Sequence, residues 1–337
     1  MATLKDIAKE LGLSPSTVSR ALTGQRYVDE ATRAAIQDAA ERLGYRPNAA
    51  ARSLRRQSTY TIGLVVPSII STFNAAAATA VHNAAERSGY QTMLCITDDD
   101  PAREKECFDI LAAHNVAGII YAPSSDYGAA DWDNDIPVVE IGRQSRGRRF
   151  DSVSANSQEG AEELIRHLVD YGHEKIAVIA GPVDLSPARS SVNGYKSVLG
   201  VYGIPVVEEY IKTGSPSKEW GHQATDELLA MTERPTAIFA TGAQLALGVF
   251  EALYEAGLSC PDDMSVVAFQ DPTWFRVWKP GITAYSVPMT QIGRLAWQLL
   301  QARIEAGPAT GRTADVTTTQ LSGVLHVRNS VRKLSGS

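Results

Sequence analysis

Thr3-Leu4-Lys5-Asp6-Ile7-Ala8-Lys9-Glu10-Leu11-Gly12-Leu13-Ser14-Pro15-Ser16-Thr17-Val18-Ser19-Arg20-Ala21-Leu22 holds two helix starts and a helix stop in one short stretch. Thr3 and Asp6 have the spacing of a capping box, in which a hydroxyl and a carboxylate satisfy the orphan N–H groups of a first turn. Leu4, Ile7, Ala8 and Leu11 then recur at helical spacing, and Gly12 suits the left-handed turn that ends a helix. Ser14-Pro15 restarts the chain, because proline at the first helical position gives up only an N–H that has no intrahelical partner. Val18, Ala21 and Leu22 predict the buried stripe of this second helix, which ends at Gly24. Asp29 predicts the cap of a third helix carrying Ala31, Ala35, Ile36, Ala39 and Leu43 and closing at Gly44. Two short helices across a tight glycine turn, with a third beside them, form a helix-turn-helix unit.

The outward residues of the second helix are Ser16, Thr17, Ser19 and Arg20. Short hydroxyls let the helix N-terminus approach a duplex closely, where its N–H groups can meet phosphate. An arginine one turn later reaches a guanine edge in the major groove. A solvated, capped helix face would carry the same residues, so charge has to weigh between the two readings. The full chain of 337 residues has a net charge of −6, with 44% hydrophobic and 21% charged residues, an ordinary globular composition. Its average conceals a division. Residues 1–60 hold ten Lys or Arg against six Asp or Glu, a balance of +4, and the remainder hold 22 against 32, or −10. A basic head before an acidic body points to an electrostatic partner for the head.

Tyr45-Arg46-Pro47-Asn48 closes the bundle, and Ala49-Ala50-Ala51-Arg52-Ser53-Leu54-Arg55-Arg56 follows as a short helix-prone segment. At about eight residues it is below the length of a helix stable alone in water, so it should order only against a partner. Leu54 among these arginines suits either an apolar wedge into a DNA step or a basic linker touching the body.

Thr3 through Ala8, Ser16 through Leu22, Thr32-Arg33 and Leu43 through Asn48 together resemble the headpiece of the lactose/galactose-repressor (LacI/GalR) family of transcriptional regulators. The resemblance implies that Pro15, Ser16 and Arg20 hold base-reading positions and that Arg26 and Asn48 touch DNA. Leu54 would intercalate in the minor groove, with Thr3, Ser14, Thr17, Arg52 and Arg55 completing the interface. Pro15 departs from members with a hydrogen-bonding side chain there, which leaves Arg20 as the main direct reader.

Past Thr59 the pattern becomes buried strands alternating with helices. Apolar runs at 62–66, 91–96, 118–121 and 137–141 enclose helical stretches at Ala75–Ser88 and Ala102–Ala113. The cycle resumes at 176–179, 237–240 and 265–269. Repeated βα units with continuous apolar strands predict parallel sheets covered on both faces, in two similar lobes with a ligand cleft between them. The family resemblance continues through Gly172-His173-Glu174-Lys175-Ile176-Ala177, Ala246-Leu247-Gly248, Pro261 through Val267, and Thr283 through Pro288. Val327-Arg328-Asn329-Ser330 resembles the closing strand of the family's periplasmic-binding-protein-like effector domain.

The implied fold is α/β: a helix-turn-helix headpiece at 1–46, a hinge helix or linker at 47–58 and an effector-binding and dimerisation domain at 59–337. Lobe 1 would take about 60–157 and 288–319, and lobe 2 about 158–287 and 320–332, with crossings near Ser157, Pro288 and Thr319. The implied effector pocket comprises Phe73, Asn74, Ser124, Arg143, Arg189, Ser191, Gly242 and Gln270. Here the chain departs from the family. Gly242-Ala243 replaces a common Asn-Asp, Gln270 stands where an Asp commonly follows the strand, and Ser191 replaces a ligand-clamping Arg. Those changes remove charge-assisted bonds of the kind that hold sugar hydroxyls.

Catalysis is the rival class. The six histidines are dispersed without HExxH spacing, and no G-x-S-x-G elbow, Walker loop or G-x-G-x-x-G occurs. Asp98-Asp99-Asp100 before Pro101 reads as a solvated helix start, and His173 as a strand-entrance residue. Three scattered cysteines suit a reducing compartment, and Met1 to Asp6 has no apolar signal core, so the expected location is the cytoplasm. No apolar run approaches the roughly 18–20 residues of a membrane helix. The expectation is a DNA-binding regulator, a repressor acting as a homodimer on a near-palindromic double-stranded operator under a carbohydrate-like effector, with no enzyme activity, metal or cofactor. A regulator with weak or no effector response, or a solute-binding protein of the same fold, is the alternative.

Overall fold

The computed structural model describes residues 2–22, 28–45, 59–129, 132–147, 149–307 and 315–334. The chain divides into two compact units, residues 1–59 and 60–337.

In the first unit, α1 (Leu4–Leu11), α2 (Pro15–Leu22) and α3 (Glu30–Arg42) pack around Ile7, Ala8, Val18, Ala21, Ile36, Ala39 and Ala40. The capping box forms: the Thr3 N–H and hydroxyl both donate to Asp6 Oδ2 at 2.8 Å. Gly12 takes φ +64°, and the Leu13 N–H returns to the Ala8 carbonyl at 2.9 Å. Ser14 accepts from Thr17 N–H at 3.1 Å and Asp29 from Thr32 N–H at 2.9 Å, so both predicted caps are made. The stripe on α3 is narrower than its apolar residues suggest. Ala31, Ala35 and Leu43 are exposed and Ala40 is buried instead, because two short helices cover only the Ile36–Ala39–Ala40 face. Gly24 lies outside the described residues.

The second unit has two six-stranded sheets. One contains β1 (Thr61–Val66), β2 (Gln91–Ile96), β3 (Gly118–Tyr121), β4 (Val138–Ile141), β5 (Asp151–Ala155) and β11 (Thr318–Leu321), in the order β11-β5-β4-β3-β1-β2, all parallel. The other contains β6 (Ile176–Ala180), β7 (Ile211–Thr213), β8 (Ala237–Ala240), β9 (Ser265–Phe269), β10 (Thr283–Ser286) and β12 (Val324–His326), in the order β12-β10-β9-β8-β6-β7, with β12 antiparallel to β10.

Lobe 1 carries α4 (Thr72–Arg87), α5 (Pro101–Ala113) and α11 (Met289–Ala306). Lobe 2 carries α6 (Ser157–Asp170), α7 (Ser186–Val201), α8 (Lys218–Leu229), α9 (Ala243–Glu255) and α10 (Thr273–Val277). Each sheet separates two apolar clusters, one per face, which is why the central strands are continuous apolar runs. Helices α8 and α9 approach closely enough that a Cβ on Gly248 would stand 2.0 Å from the Lys218 carbonyl oxygen.

Three findings differ from the sequence reading. β2 is an edge strand that exposes Leu94 and Ile96 rather than a buried one. The third passage between lobes falls at Ser322-Gly323, since Thr319 is still inside β11. The closing strand is Val324–His326, and Val327 to Ser330 follow it as irregular chain. There, Ser330 ties in by hydrogen bonds to Thr283 N–H at 2.8 Å and to the Val266 carbonyl at 2.6 Å.

Candidate functional site

On α2 the buried side chains are Val18 and Ala21, and the opposite face presents Pro15, Ser16 and Arg20, all exposed. Ser16 and Arg20 lie one turn apart on that face, as i and i+4 must. Ser14 Oγ lies 2.7 Å from Ser16 Oγ and 2.9 Å from Thr17 Oγ1, so the first turn starts in a cluster of hydroxyls. Acidic residues are absent from that turn, and Arg20 occupies the last one. Thr3 is exposed, with its hydroxyl committed to Asp6, whose carboxyl is held below its ordinary range first by the Thr3 N–H. The other expected DNA contacts, Arg26, Asn48, Arg52, Leu54 and Arg55, lie outside the described residues.

The second unit contains a cleft of 860 Å³ between its lobes, at the carboxyl ends of strands from both sheets. Six of the expected effector residues line it: Phe73, Asn74, Arg143, Ser191, Gly242 and Gln270. Phe73 lies across Gly142, where a Cβ would stand 2.3 Å from Cε1 of the ring. Asn74 is buried and donates through Nδ2 to the Ser68 carbonyl at 2.9 Å, which fixes the loop after β1. Gln270 has φ +72°, and its Oε1 accepts from Thr72 Oγ1 at 3.3 Å and from the Ala243 N–H at 3.4 Å. It therefore serves as a side-chain acceptor for the α9 N-terminus, where Gly242 supplies no cap of its own, and also joins the lobes.

Each cation along this cleft is engaged. Arg143 pairs with Asp99 and donates to the Pro123 carbonyl at 3.0 Å, and Lys218 pairs with Glu251 at 3.0 Å. Asp98 pairs with Arg103. Hydroxyls and amides at Thr72, Ser157, Ser191, Thr241 and Gln244 alternate with apolar surface from Ile141, Leu185, Pro187 and Phe269. Such a lining suits an uncharged ligand with hydroxyl groups and some apolar face.

Two expected pocket residues are elsewhere. Ser124 is buried in lobe 1, its N–H donating to Glu104 Oε2 at 2.6 Å and its hydroxyl to Thr97 Oγ1 at 3.1 Å. Burial raises the Glu104 carboxyl above its ordinary range, against the pull of those Ser124 bonds. Arg189 lies outside the main cleft and donates to both oxygens of Asp126, at 3.0 and 2.8 Å. Asp126 belongs to lobe 1 and is also paired with Arg146. Sequence reading did not find Thr72, Asp99 or Asp126. The consecutive Asp98 and Asp99 both have positive φ, which marks a strained turn rather than a plain helix start. Asp100 does cap α5, accepting from the Ala102 N–H at 2.8 Å.

His173 is fully buried, with Nδ1 2.8 Å from Thr236 Oγ1 and Nε2 3.1 Å from the Arg332 carbonyl, a core arrangement at the entrance to β6. Among the described residues no three His, Cys, Asp or Glu side chains gather as a metal site, and no helix is long and apolar enough to cross a membrane.

Comparison with known proteins agrees with this geometry. Residues 3–48 match the family described as bacterial regulatory proteins, lacI family, and residues 165–331 match a periplasmic binding protein-like domain. The chain is 31% identical over 336 residues to the ribose operon repressor of Escherichia coli (strain K12), covering 98% of this chain and 100% of that protein. It is 32% identical over 340 residues to the HTH-type transcriptional repressor PurR of Mannheimia succiniciproducens, covering 99% and 100%. The lac repressor dimer bound to operator and the anti-inducer ONPF superposes with a TM-score of 0.87 at 25% identity, covering 98% of this chain and 99% of that one.

Proposed function

The chain belongs to the lacI family of bacterial regulatory proteins, and from that premise we propose that it is a sequence-specific transcriptional repressor acting on a near-palindromic operator as a homodimer. One observation carries this reading: α2 is capped, buried on its Val18–Ala21 face, and presents Ser16 and Arg20 outward one turn apart. Arg20 then reads a guanine edge in the major groove while the first-turn hydroxyls and N–H groups meet phosphate. Two heads on one symmetric dimer double the contacts and set half-site spacing. Exposed Leu94 and Ile96 on edge strand β2, with exposed Ile110 on α5, supply apolar surface that supports a second copy. Leu54 and the arginines around it act as the minor-groove wedge by family resemblance. As a DNA-binding repressor the protein works in the cytoplasm and carries no catalytic step.

The cleft takes a small uncharged polyhydroxyl ligand, a reading supported by its paired cations, Arg143 and Lys218, and its hydroxyl and amide lining. Binding there changes lobe closure, and with it the geometry of the two segments leading to the heads. Gel shifts with the intact protein test the first claim: a preference for one upstream sequence over bulk DNA at physiological salt is expected, and equal affinity for all sequences would refute it. A second reading, a regulator with little effector response, is favoured by the Thr72–Gln270 and Arg189–Asp126 bonds, which join the lobes without any ligand. A thermal-shift screen of neutral sugars and polyols separates the two, since a ligand selective for the folded state raises the melting temperature by mass action.

A further inference from the structure

Beside the main cleft, and sharing its wall at Gly142, Ala155, Ser157 and Pro187, lies a second recess of 310 Å³. Arg146 and Arg189 line it, and no acidic side chain does. Ser154 and Ser157 are each more than nine-tenths buried, both line the recess, and neither hydroxyl has a hydrogen-bond partner among the described residues. Both hydroxyl oxygens open onto the recess rather than being sealed in the core, so they are available to a ligand that enters it. Arg146 donates through Nε to Asp126, and its two terminal nitrogens have no protein partner among the described residues.

Seryl donors beside guanidinium groups are the chemistry of an oxyanion site. Asp126 takes Nε of Arg146 and one terminal nitrogen of Arg189, which leaves the other guanidinium N–H groups to an incoming anion. We propose that this recess is a second ligand site, distinct from the main cleft, for a phosphoryl group: inorganic phosphate or a small phosphate monoester. Its volume is at the small end for ligand pockets, which limits the occupant to a few carbons beyond the phosphoryl group. The site spans both lobes. Arg146 and Ser154 come from lobe 1, Arg189 and Ser190 from α7 of lobe 2, and the Gln144 N–H already meets Ser186 Oγ across the gap at 2.8 Å. Ser157 and Gln320 place it beside two of the three chain crossings. A ligand holding both lobes selects one lobe angle, so its occupancy couples to the main cleft.

Titration of the full-length protein with inorganic phosphate at constant ionic strength, followed by calorimetry, tests the assignment. One saturable phosphate per chain is expected. Arg146→Ala and Ser154→Val should each weaken it at least about tenfold, and Lys105→Ala, at an exposed ion pair on α5 outside both recesses, should leave it unchanged. Arg146 is largely exposed, so its replacement keeps the fold; circular dichroism checks Ser154→Val, and Ser190→Ala replaces that variant if it unfolds. Competition by glycerol 3-phosphate separates a monoester site from one that takes only the free anion. Absence of saturable binding, or an isotherm that Arg146→Ala leaves unchanged, overturns the proposal.

Discussion

Thr72 Oγ1 donates to Gln270 Oε1 at 3.3 Å, tying the first turn of α4 in lobe 1 to the loop after β9 in lobe 2. The same oxygen accepts from the N–H that opens α9, at 3.4 Å. Gln270 sits at φ +72°, a conformation that few side chains other than Asn and Asp tolerate, and it is the position where the family resemblance implies an aspartate. An amide in that place has a partner from each lobe and adds no negative charge of its own to the cleft. Lobe closure and ligand choice thus meet at one side chain.

Gln270→Asn keeps the left-handed backbone and shortens the side chain beyond reach of Thr72 and Ala243. Two long hydrogen bonds are lost, so the stability cost should be small, on the order of 1 kcal/mol. The lobes should open further, read as a larger radius of gyration in small-angle scattering of the ligand-free protein. An unchanged scattering profile would mean that the bond does not hold the cleft.

Arg20→Ala should weaken binding to the preferred operator by about 1–3 kcal/mol and relax selectivity at one base pair of each half-site. Competition gel shifts against operators changed at single positions measure both. A uniform loss across all sequences, with a shallower salt dependence, would assign Arg20 to phosphate instead.

How far the sequence could be read depended on where each residue's partners lie. The headpiece was legible because its caps, its glycine turn and its apolar stripes act within four or five residues, as the Thr3–Asp6 and Ser14–Thr17 bonds bear out. Strands β1, β3, β6, β8 and β9 are continuous apolar runs and announce themselves. β5 reads Asp-Ser-Val-Ser-Ala, which no hydrophobic pattern marks, yet it is a buried strand. Asp151, which opens it, is satisfied from far along the chain by Arg303 on α11, with bonds of 2.7 and 2.8 Å, and Ser152 by Gln144 from the loop before it at 3.0 Å. The pocket divided in the same way. Phe73, Asn74 and Gln270 follow strand ends and fall where the topology brings strand ends together. Arg189 went to Asp126, whose place opposite α7 depends on the lobes' packing and leaves no local mark.

His173 gives a pH signature. Burial pushes its imidazole down to about 4 from an ordinary 6.5, because the charged ring would lose its hydration inside lobe 2. The folded state therefore resists protonation, and the unfolded state takes the proton first as pH falls. The associated stability is fully present above pH 6.5 and is lost between 6.5 and 4, by about 3 kcal/mol in all, levelling off below. Denaturation of the protein across that window, compared with His173→Asn, isolates the contribution from that of the carboxylates. The variant's stability should change less steeply with pH; identical slopes would remove His173 from the account.

Gly142→Ala combines two penalties at one point of the cleft. Gly142 has φ +71°, where a Cβ is disfavoured by roughly 1–2 kcal/mol, and that Cβ would stand 2.3 Å from the Phe73 ring. Phe73 sits in the first turn of α4 and is packed against the lobe 1 core, so the ring has to turn toward open space, which is the cleft. The fold should survive with a melting temperature lowered by a few degrees, since a loss of that size is modest for a unit this large. Ligand affinity in the cleft should fall by more than the stability loss implies, because the displaced ring takes up ligand volume. Operator affinity without ligand should change only if the turned ring also alters lobe closure, through which the cleft acts on the heads. Parallel thermal melts, gel shifts and ligand titrations read the three effects separately. Full ligand affinity in the folded variant would show that Phe73 is packing for lobe 1 and no part of the cleft's recognition surface.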